Sequence, residues 1–101
     1  MSEEKKTYVG PGRESAGAVL IRDLGEGLYG SIWQSEFARD LTPWHPKEKR
    51  VTQQMVARWA AGERTVPSWV WKSGAAMIEA RVAWLFRLRD RLESVDHGEP
   101  E

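Results

Sequence analysis

The sequence predicts an all-α protein, in which a compact domain of about four helices ends in a long C-terminal helix. Apolar residues recur at intervals of three or four in four separate segments, the spacing that places them on one side of a helix. Glycine or proline lies between these segments and separates one helix from the next. The length of 101 residues is enough for one small domain with one modest core.

The composition is that of an ordinary globular chain, with 41% hydrophobic and 30% charged residues. Cysteine is absent, which excludes disulfides, thiolate metal sites and cysteine nucleophiles. No run of about 18 apolar residues exists, and the N-terminus MSEEKKTYVG lacks the apolar stretch of a secretion signal. We therefore expect a cytoplasmic protein that is not bound to a membrane.

The charge is unevenly distributed along the chain. The formal net charge of zero argues mildly against nucleic-acid binding. Between positions 45 and 64, however, Glu48 and Glu63 are outnumbered by basic residues: Lys47, Lys49, Arg50, Arg58 and Arg64. The acidic residues Asp96, Glu99 and Glu101 lie in the tail. A basic segment of this kind attracts polyanions even when the whole chain is neutral.

Both ends of the chain are predicted to be irregular. Residues 1–15 are polar, show no apolar period and contain the run Gly-Pro-Gly, which indicates a flexible arm. Lys5, Lys6 and Arg13 in this arm can reach phosphate, although a disordered terminus is the commoner outcome. Residues 95–101 are expected to fray.

The compact domain is expected to span residues 16–67 and to begin with a helix over 16–28. Four apolar residues in this helix follow helical spacing: Val19, Leu20, Leu24 and Leu28. Gly25 and Gly27 lower its helix propensity. After the break at Gly30, a second helix is predicted over residues 32–41.

This second helix is expected to take Ser31 as its N-cap. Its apolar side is formed by Trp33, Phe37, Ala38 and Leu41. Gln34 lies in its first turn, where a side chain and free N–H groups can meet a phosphate.

The segment TPWHPKEKR, residues 42–50, is unusual. Pro43 and Pro46 interrupt any helix that continues from Leu41, and a single helical turn can begin at Pro46. Trp44 either packs onto the domain, which is the commoner outcome, or stays exposed for a partner.

The third helix, predicted over Gln53–Ala61, has two different sides. Thr52 is a suitable N-cap and Gly62 a suitable left-handed C-terminal cap. Met55, Val56 and Trp59 share the apolar side. The opposite side carries Gln53, Gln54, Ala57 and Arg58. Glutamine can pair with adenine and arginine with guanine in a DNA major groove, although an ordinary solvated helix shows the same pattern.

The last helix is predicted over residues 69–94, with Ser68 as its cap and a length of about 39 Å. Its apolar arc is wider than one stripe, so one part can cover the domain while another part needs a second cover. A copy of the same helix is the simplest cover. We expect a dimer interface at Trp71, Ile78, Val82, Leu85, Leu88 and Leu92.

The stretches QSEFARDL and VTQQMVARWAAGERTVP together resemble the helix-turn-helix of phage-repressor-like transcriptional regulators. The resemblance covers about residues 28–67. It implies a phosphate contact at Gln34, close packing at Ala38 and a core position at Val51. It also implies base reading by Gln53, Gln54, Ala57 and Arg58. The sequence departs from the family at Thr42, where a glycine is usual, and in the nine residues between Leu41 and Val51.

The resemblance implies a dimeric, sequence-specific regulator that binds an inverted repeat in double-stranded DNA, such as the repressor of a phage or mobile-element operon. Its expected phosphate contacts are Gln34, Thr52, Lys47, Lys49, Arg50 and Arg64. One alternative is a helical protein-interaction module, an adaptor or inhibitor, that binds no nucleic acid. A third is an RNA-binding protein that uses the basic segment.

An enzyme is not expected. His45 and His97 are distant in sequence, and neither belongs to a cluster with metal-ligand spacing. The sequence contains no glycine-rich phosphate loop and no nucleophile motif, so we predict no catalytic residue, metal, cofactor or small-molecule effector.

Overall fold

The computed structural model describes residues 12–95, and this part of the chain is helical without strands. Its elements are α1 (Ala16–Tyr29), α2 (Gln34–Leu41), a 3₁₀ turn (Thr42–Trp44), α3 (Gln53–Ala61) and α4 (Ser68–Val95). The all-α class, the four α-helices and the long C-terminal helix are therefore confirmed. Most of the predicted arm and tail, residues 1–11 and 96–101, lies outside the described residues.

The core lies where α1, α2 and α3 meet, with the first turns of α4 across it. Its largest fully buried side chains are Phe37, Ile21, Leu41, Val51, Val56 and Val70. The apolar sides predicted for α2 and α3 are the sides that face this core, because the helical period fixes which residues share a side. Val51 is buried just before α3 and fixes where that helix starts.

The start of α2 differs from the prediction. The helix begins at Gln34 with Trp33 as its N-cap, no side chain caps it, and Ile32 is 85% exposed. The reason is tertiary: the Trp33 ring is buried against Gly25, where a Cβ atom would overlap the ring. Gly25 therefore makes room for a core tryptophan, although it lowers the helix propensity of α1.

The helical turn predicted at Pro46 is wrong. The turn forms earlier, over Thr42–Trp44, with Pro43 in its first positions. Proline suits those positions because its missing N–H would have no partner there. Pro46 instead lies inside a tight turn that is closed by a 2.9 Å hydrogen bond from the Glu48 N–H to the His45 carbonyl oxygen.

Both ends of α3 follow the prediction. The Thr52 hydroxyl accepts a 3.1 Å hydrogen bond from the Met55 N–H, and Gly62 takes the left-handed conformation with φ 78°. The Gly12 N–H donates to the Gly62 carbonyl oxygen at 3.0 Å. A Cβ atom at Gly62 would overlap the Gly12 backbone, so glycine is needed for its backbone angle and for this contact.

Only the first half of α4 packs on the core. Val70, Ser73 and Gly74 are buried, and Gly74 lies against Leu24 of α1. Arg81 marks the end of this contact by donating a 3.0 Å hydrogen bond to the Leu28 carbonyl oxygen at the end of α1. Beyond Arg81 the helix extends away from the core, and the molecule measures 62 × 33 × 21 Å.

Candidate functional site

The outward side of α3 is polar and accessible. Gln53, Gln54 and Arg58 are exposed, whereas Val56 and Trp59 on the opposite side are buried. Ala57, which lies among the polar side chains, is half-buried, and its small side chain projects little from the helix. The side chains predicted to read bases therefore share one surface, and replacing them does not open the core.

Arg22 of α1, which the sequence analysis did not single out, holds the end of α3. Its Nη1 donates a 2.6 Å hydrogen bond to the Ala60 carbonyl oxygen, and its Nη2 donates a 2.8 Å bond to the Arg13 carbonyl oxygen. A positive charge stabilises the carbonyl end of a helix, where these oxygens lack partners within the helix. With Thr52 at its start and Arg22 at its end, α3 is fixed on the domain.

Thr42 closes the segment between α2 and α3. Its hydroxyl accepts a 3.0 Å hydrogen bond from the Val51 N–H and lies 2.9 Å from the Ala38 carbonyl oxygen, to which it donates. Residues 43–50 consequently leave and rejoin the domain at nearly the same place. Although it is longer than the usual helix-turn-helix connection, the segment leaves α2 and α3 in direct contact.

The loop formed by residues 43–50 is attached to the domain on one side. The His45 ring lies 5.0 Å from the Trp69 ring between centroids, and His45 Nδ1 accepts a 3.0 Å hydrogen bond from the Lys47 N–H. Lys47, Lys49 and Arg50 are all exposed. The loop therefore presents three cations to solvent just ahead of α3.

A cleft of about 520 Å³ lies between α2, this loop and the start of α3. It brings together Arg50, Thr52 and Gln53, three of the residues predicted to contact DNA, with Glu48 also on its wall. The Thr52 oxygen caps α3, but its hydrogen can still be donated to a phosphate oxygen. The other expected phosphate contacts do not line this cleft: Gln34, Lys47, Lys49 and Arg64.

Tyr29 and Asp40 form a polar link between α1 and α2. The Tyr29 hydroxyl donates a 2.7 Å hydrogen bond to Asp40 Oδ2, and Arg39 Nε lies 3.0 Å from Asp40 Oδ1. The pKa of Tyr29 is raised above its usual value, chiefly because the phenol is partly buried and secondly because it donates a hydrogen bond to Asp40. Partial burial also favours a higher pKa for Asp40, but hydrogen bonds from Arg39 and Tyr29 outweigh it and lower the pKa of this carboxyl. The arrangement serves structure, because a phenol with a raised pKa stays neutral.

Trp44 is 46% exposed, so full packing onto the domain, the commoner outcome for a tryptophan, does not occur. It lies at the edge of a shallow hollow together with Tyr29, Asp40, Arg81 and Trp84. This hollow joins the loop to α4, and no sequence pattern indicated it.

The residues predicted for a dimer interface fall into two groups. Ile78, Val82, Leu85 and Leu92 are exposed, and Leu88 is half-buried. Trp71 packs against the core and lies beside Gly17 of α1, so the structure places it away from the others. Trp84, Phe86 and Val95 are exposed on the same helix, although the prediction did not include them.

Between residues 12 and 95, no group of three or more histidine or acidic side chains is placed to hold a metal ion. No helix within that range has the length and apolar character needed to cross a membrane. Comparison of the chain with protein-family models, with curated proteins and with solved structures gave no match.

Proposed function

We propose that this protein is a sequence-specific double-stranded DNA-binding regulator of transcription that inserts α3 into the major groove. The outward side of α3 carries this proposal. It exposes Gln53, Gln54 and Arg58 on a helix whose apolar side packs on the core. The exposed cations of the 43–50 loop lie next to the start of the same helix.

The chemistry of these side chains suits the two parts of DNA recognition. A glutamine amide can pair bidentately with adenine and a guanidinium with guanine, whereas the small Ala57 lets the helix backbone come close to the bases. Lys47, Lys49 and Arg50 can neutralise phosphates without regard to sequence. Gln34 lies in the first turn of α2, where free N–H groups favour a phosphate oxygen.

The apolar second half of α4 supports a homodimer, and a dimer presents two copies of α3 to an inverted repeat. A dimer bound across an operator prevents other proteins from occupying that DNA. We therefore propose that it acts as a repressor, in the kind of phage or mobile-element operon that the resemblance implies.

A protein-interaction module is the second candidate, because the exposed apolar side chains of α4 fit a protein partner. In that case α4 binds another protein, and the outward side of α3 is an ordinary solvated surface. RNA binding through the 43–50 loop is a third candidate, with exposed cations in its favour.

Selection from random duplex DNA separates these functions. The protein is incubated with a random duplex pool, and bound fragments are amplified and sequenced over several rounds. Fluorescence anisotropy then compares the selected duplex, a scrambled duplex and an RNA of matched length at several salt concentrations. We expect an enriched inverted repeat that is bound more tightly than the scrambled duplex, with affinity falling as salt rises. A pool that stays random, together with equally weak binding to all three, would leave the interaction module as the better account.

A further inference from the structure

The second half of α4 exposes several large apolar side chains to solvent. We call residues 82–95 the distal segment of α4. Leu88 is half-buried, but the other large apolar side chains have exposed fractions from 43% for Val82 to 66% for Val95: Val82, Trp84, Leu85, Phe86, Leu92 and Val95. Exposed apolar patches of this extent mark contact surfaces.

Between residues 78 and 95, α4 has a seam with seven-residue spacing, in which every position except Arg81 is apolar. Ile78, Leu85 and Leu92 are seven residues apart, and Arg81, Leu88 and Val95 follow each of them by three. This is the repeat with which two helices pair by inserting side chains between those of the partner helix. The seam lies along one side of α4 and continues past the end of the core, so a second helix can lie on it.

We infer that two copies of this chain pair antiparallel along this seam, so that Leu85 lies opposite the partner's Leu88 and Ile78 lies opposite the partner's Val95. This inference rests on the homodimer proposed above and adds its orientation and register. Two observations select the antiparallel arrangement over the parallel one.

The first observation is steric. Toward the start of α4 the seam continues through Trp71 and Gly74, and α1 already covers both positions. Gly74 is buried against Leu24, so no other helix can approach there. A parallel partner in register would have to run beside these covered positions, whereas the described part of an antiparallel partner's α4 extends along the seam only as far as Ile78, which is 37% exposed.

The second observation is the charge at Arg81. A parallel pair in register places Arg81 against the partner's Arg81, and juxtaposed like charges are costly at an interface. The antiparallel register places Arg81 opposite the partner's Leu92. In this register the guanidinium keeps its existing contacts, the hydrogen bond to the Leu28 carbonyl oxygen and a position 5.9 Å above the Tyr29 ring.

The residues beside the seam favour the same register. Arg91 lies next to the partner's Trp84, a pairing in which a guanidinium can rest on an indole ring. Arg89 lies next to the partner's Val82. In the next possible antiparallel register, Leu88 would lie opposite the partner's Leu92. That register would place Arg91 next to the partner's Arg91, and the like charges disfavour it.

The inferred register also spaces the two domains suitably for the proposed function. The part of α4 that packs on the core runs from Val70 to Arg81. At about 1.5 Å per residue, the midpoints of these parts in the two copies lie about 33 Å apart along the helix pair. This distance along α4 is of the same order as the separation of about 34–36 Å between DNA half-sites one helical turn apart.

Cysteine cross-linking tests the orientation directly, because the chain has no cysteine of its own. The variants are Ile78→Cys, Val95→Cys and the double variant I78C/V95C, with Ala83→Cys as a control on the opposite side of α4. Each full-length variant is oxidised at tens of micromolar and run on a non-reducing denaturing gel. Thermal melts confirm that each is folded, and sedimentation of the wild type establishes that it is dimeric.

We expect the double variant to become mostly cross-linked dimer and each single variant to stay mostly monomer on the gel. In the antiparallel register, residue 78 lies about 25 Å from its own copy, well beyond the reach of a disulfide. Efficient cross-linking of Ile78→Cys alone would establish a parallel pair and overturn the inference. A dimeric double variant that does not cross-link would show that the seam is not the interface. A monomeric wild type would refute the dimer, whereas duplex binding measured on the same sample would still decide the proposal for α3.

Discussion

The outward side of α3 and the distal segment of α4 are both exposed, but their exposure differs in kind. On α3 the apolar side chains Val56 and Trp59 are buried, and the outward side carries two exposed amides, an exposed guanidinium and a half-buried alanine. On the distal segment the exposed side chains include aromatic and aliphatic residues on more than one side of the helix. The first surface is stable in water and suits a polar ligand, whereas the second gains free energy when protein covers it.

The difference also predicts opposite responses to salt. A surface that binds phosphate loses affinity as salt rises, because binding releases condensed counterions. Apolar pairing of α4 is not screened in this way. The two surfaces therefore need separate tests.

The largest effect is expected when the distal segment is made polar. Replacing Leu85 and Leu88 together with aspartate places charges in the seam, and we expect monomers in sedimentation at tens of micromolar. Affinity for the selected duplex should fall about a hundredfold or more. In the dimer, binding of one domain holds the other near the second half-site at high effective concentration, and a monomer lacks this gain. Ala83→Asp, on the other side of the helix, should remain dimeric. A double variant that still sediments as a dimer would contradict the assignment of this surface.

A second prediction concerns the platform that carries α3. Gly25→Ala should lower the free energy of unfolding by about 1–3 kcal/mol, because its methyl group meets the buried Trp33 ring. Gly27→Ala is a matched control in the same helix: open space surrounds it, and alanine should stabilise the protein by about 0.4–1 kcal/mol. Urea unfolding measures both. Equal effects of the two substitutions would show that Gly25 does not hold a close contact.

A third prediction separates the loop from α3. Replacing Lys47, Lys49 and Arg50 together with alanine should weaken binding to selected and scrambled duplexes alike. The slope of log affinity against log salt should shrink by about 0.9 for each lost phosphate contact. Titrations at several salt concentrations measure the slope. An unchanged slope would assign these charges to solubility alone.

The smallest effect is expected at Asp40. Since its folded-state pKa is lowered, its contribution is present above the unfolded-state pKa of about 3.9 and is lost as pH falls through the folded-state value. Asp40→Asn should therefore be less stable than wild type at pH 7, by under about 1 kcal/mol because the carboxyl is partly exposed and screened by solvent. The gap should narrow as pH falls below about 3.9. Urea titrations at pH 7 and at several acidic pH values check this, and a gap of constant size would contradict it.

Local spacing predicted much of the fold, but contacts between distant parts of the chain did not show in the sequence. The four helices and both caps of α3 follow from residues within a few positions of each other. The start of α2 was misplaced because it depends on Trp33 packing against Gly25 of another helix. The helical period also identified the polar side of α3, since that side depends only on α3 itself.

The rest of the candidate site depends on contacts that no sequence period records. The cleft before α3 is built from three segments and closed by the bond between Thr42 and Val51, nine positions apart. The same limit explains Trp71, which shares a side of α4 with Ile78 on a helical projection. A projection shows the direction of a side chain but not how far along the helix the core extends.

The proposed function depends most on whether the outward side of α3 reads DNA bases. The direct measurement is the affinity of Gln54→Ala and Arg58→Ala for the selected and scrambled duplexes, with Lys72→Ala on α4 as a control for a lost cation. We predict a loss of about 1–3 kcal/mol on the selected duplex and relaxed preference at one or two base pairs. Binding to the scrambled duplex should fall less for Gln54→Ala, which removes no charge, and the melting temperature should barely change for either variant. Folded variants that keep full discrimination between the two duplexes would contradict base reading by α3.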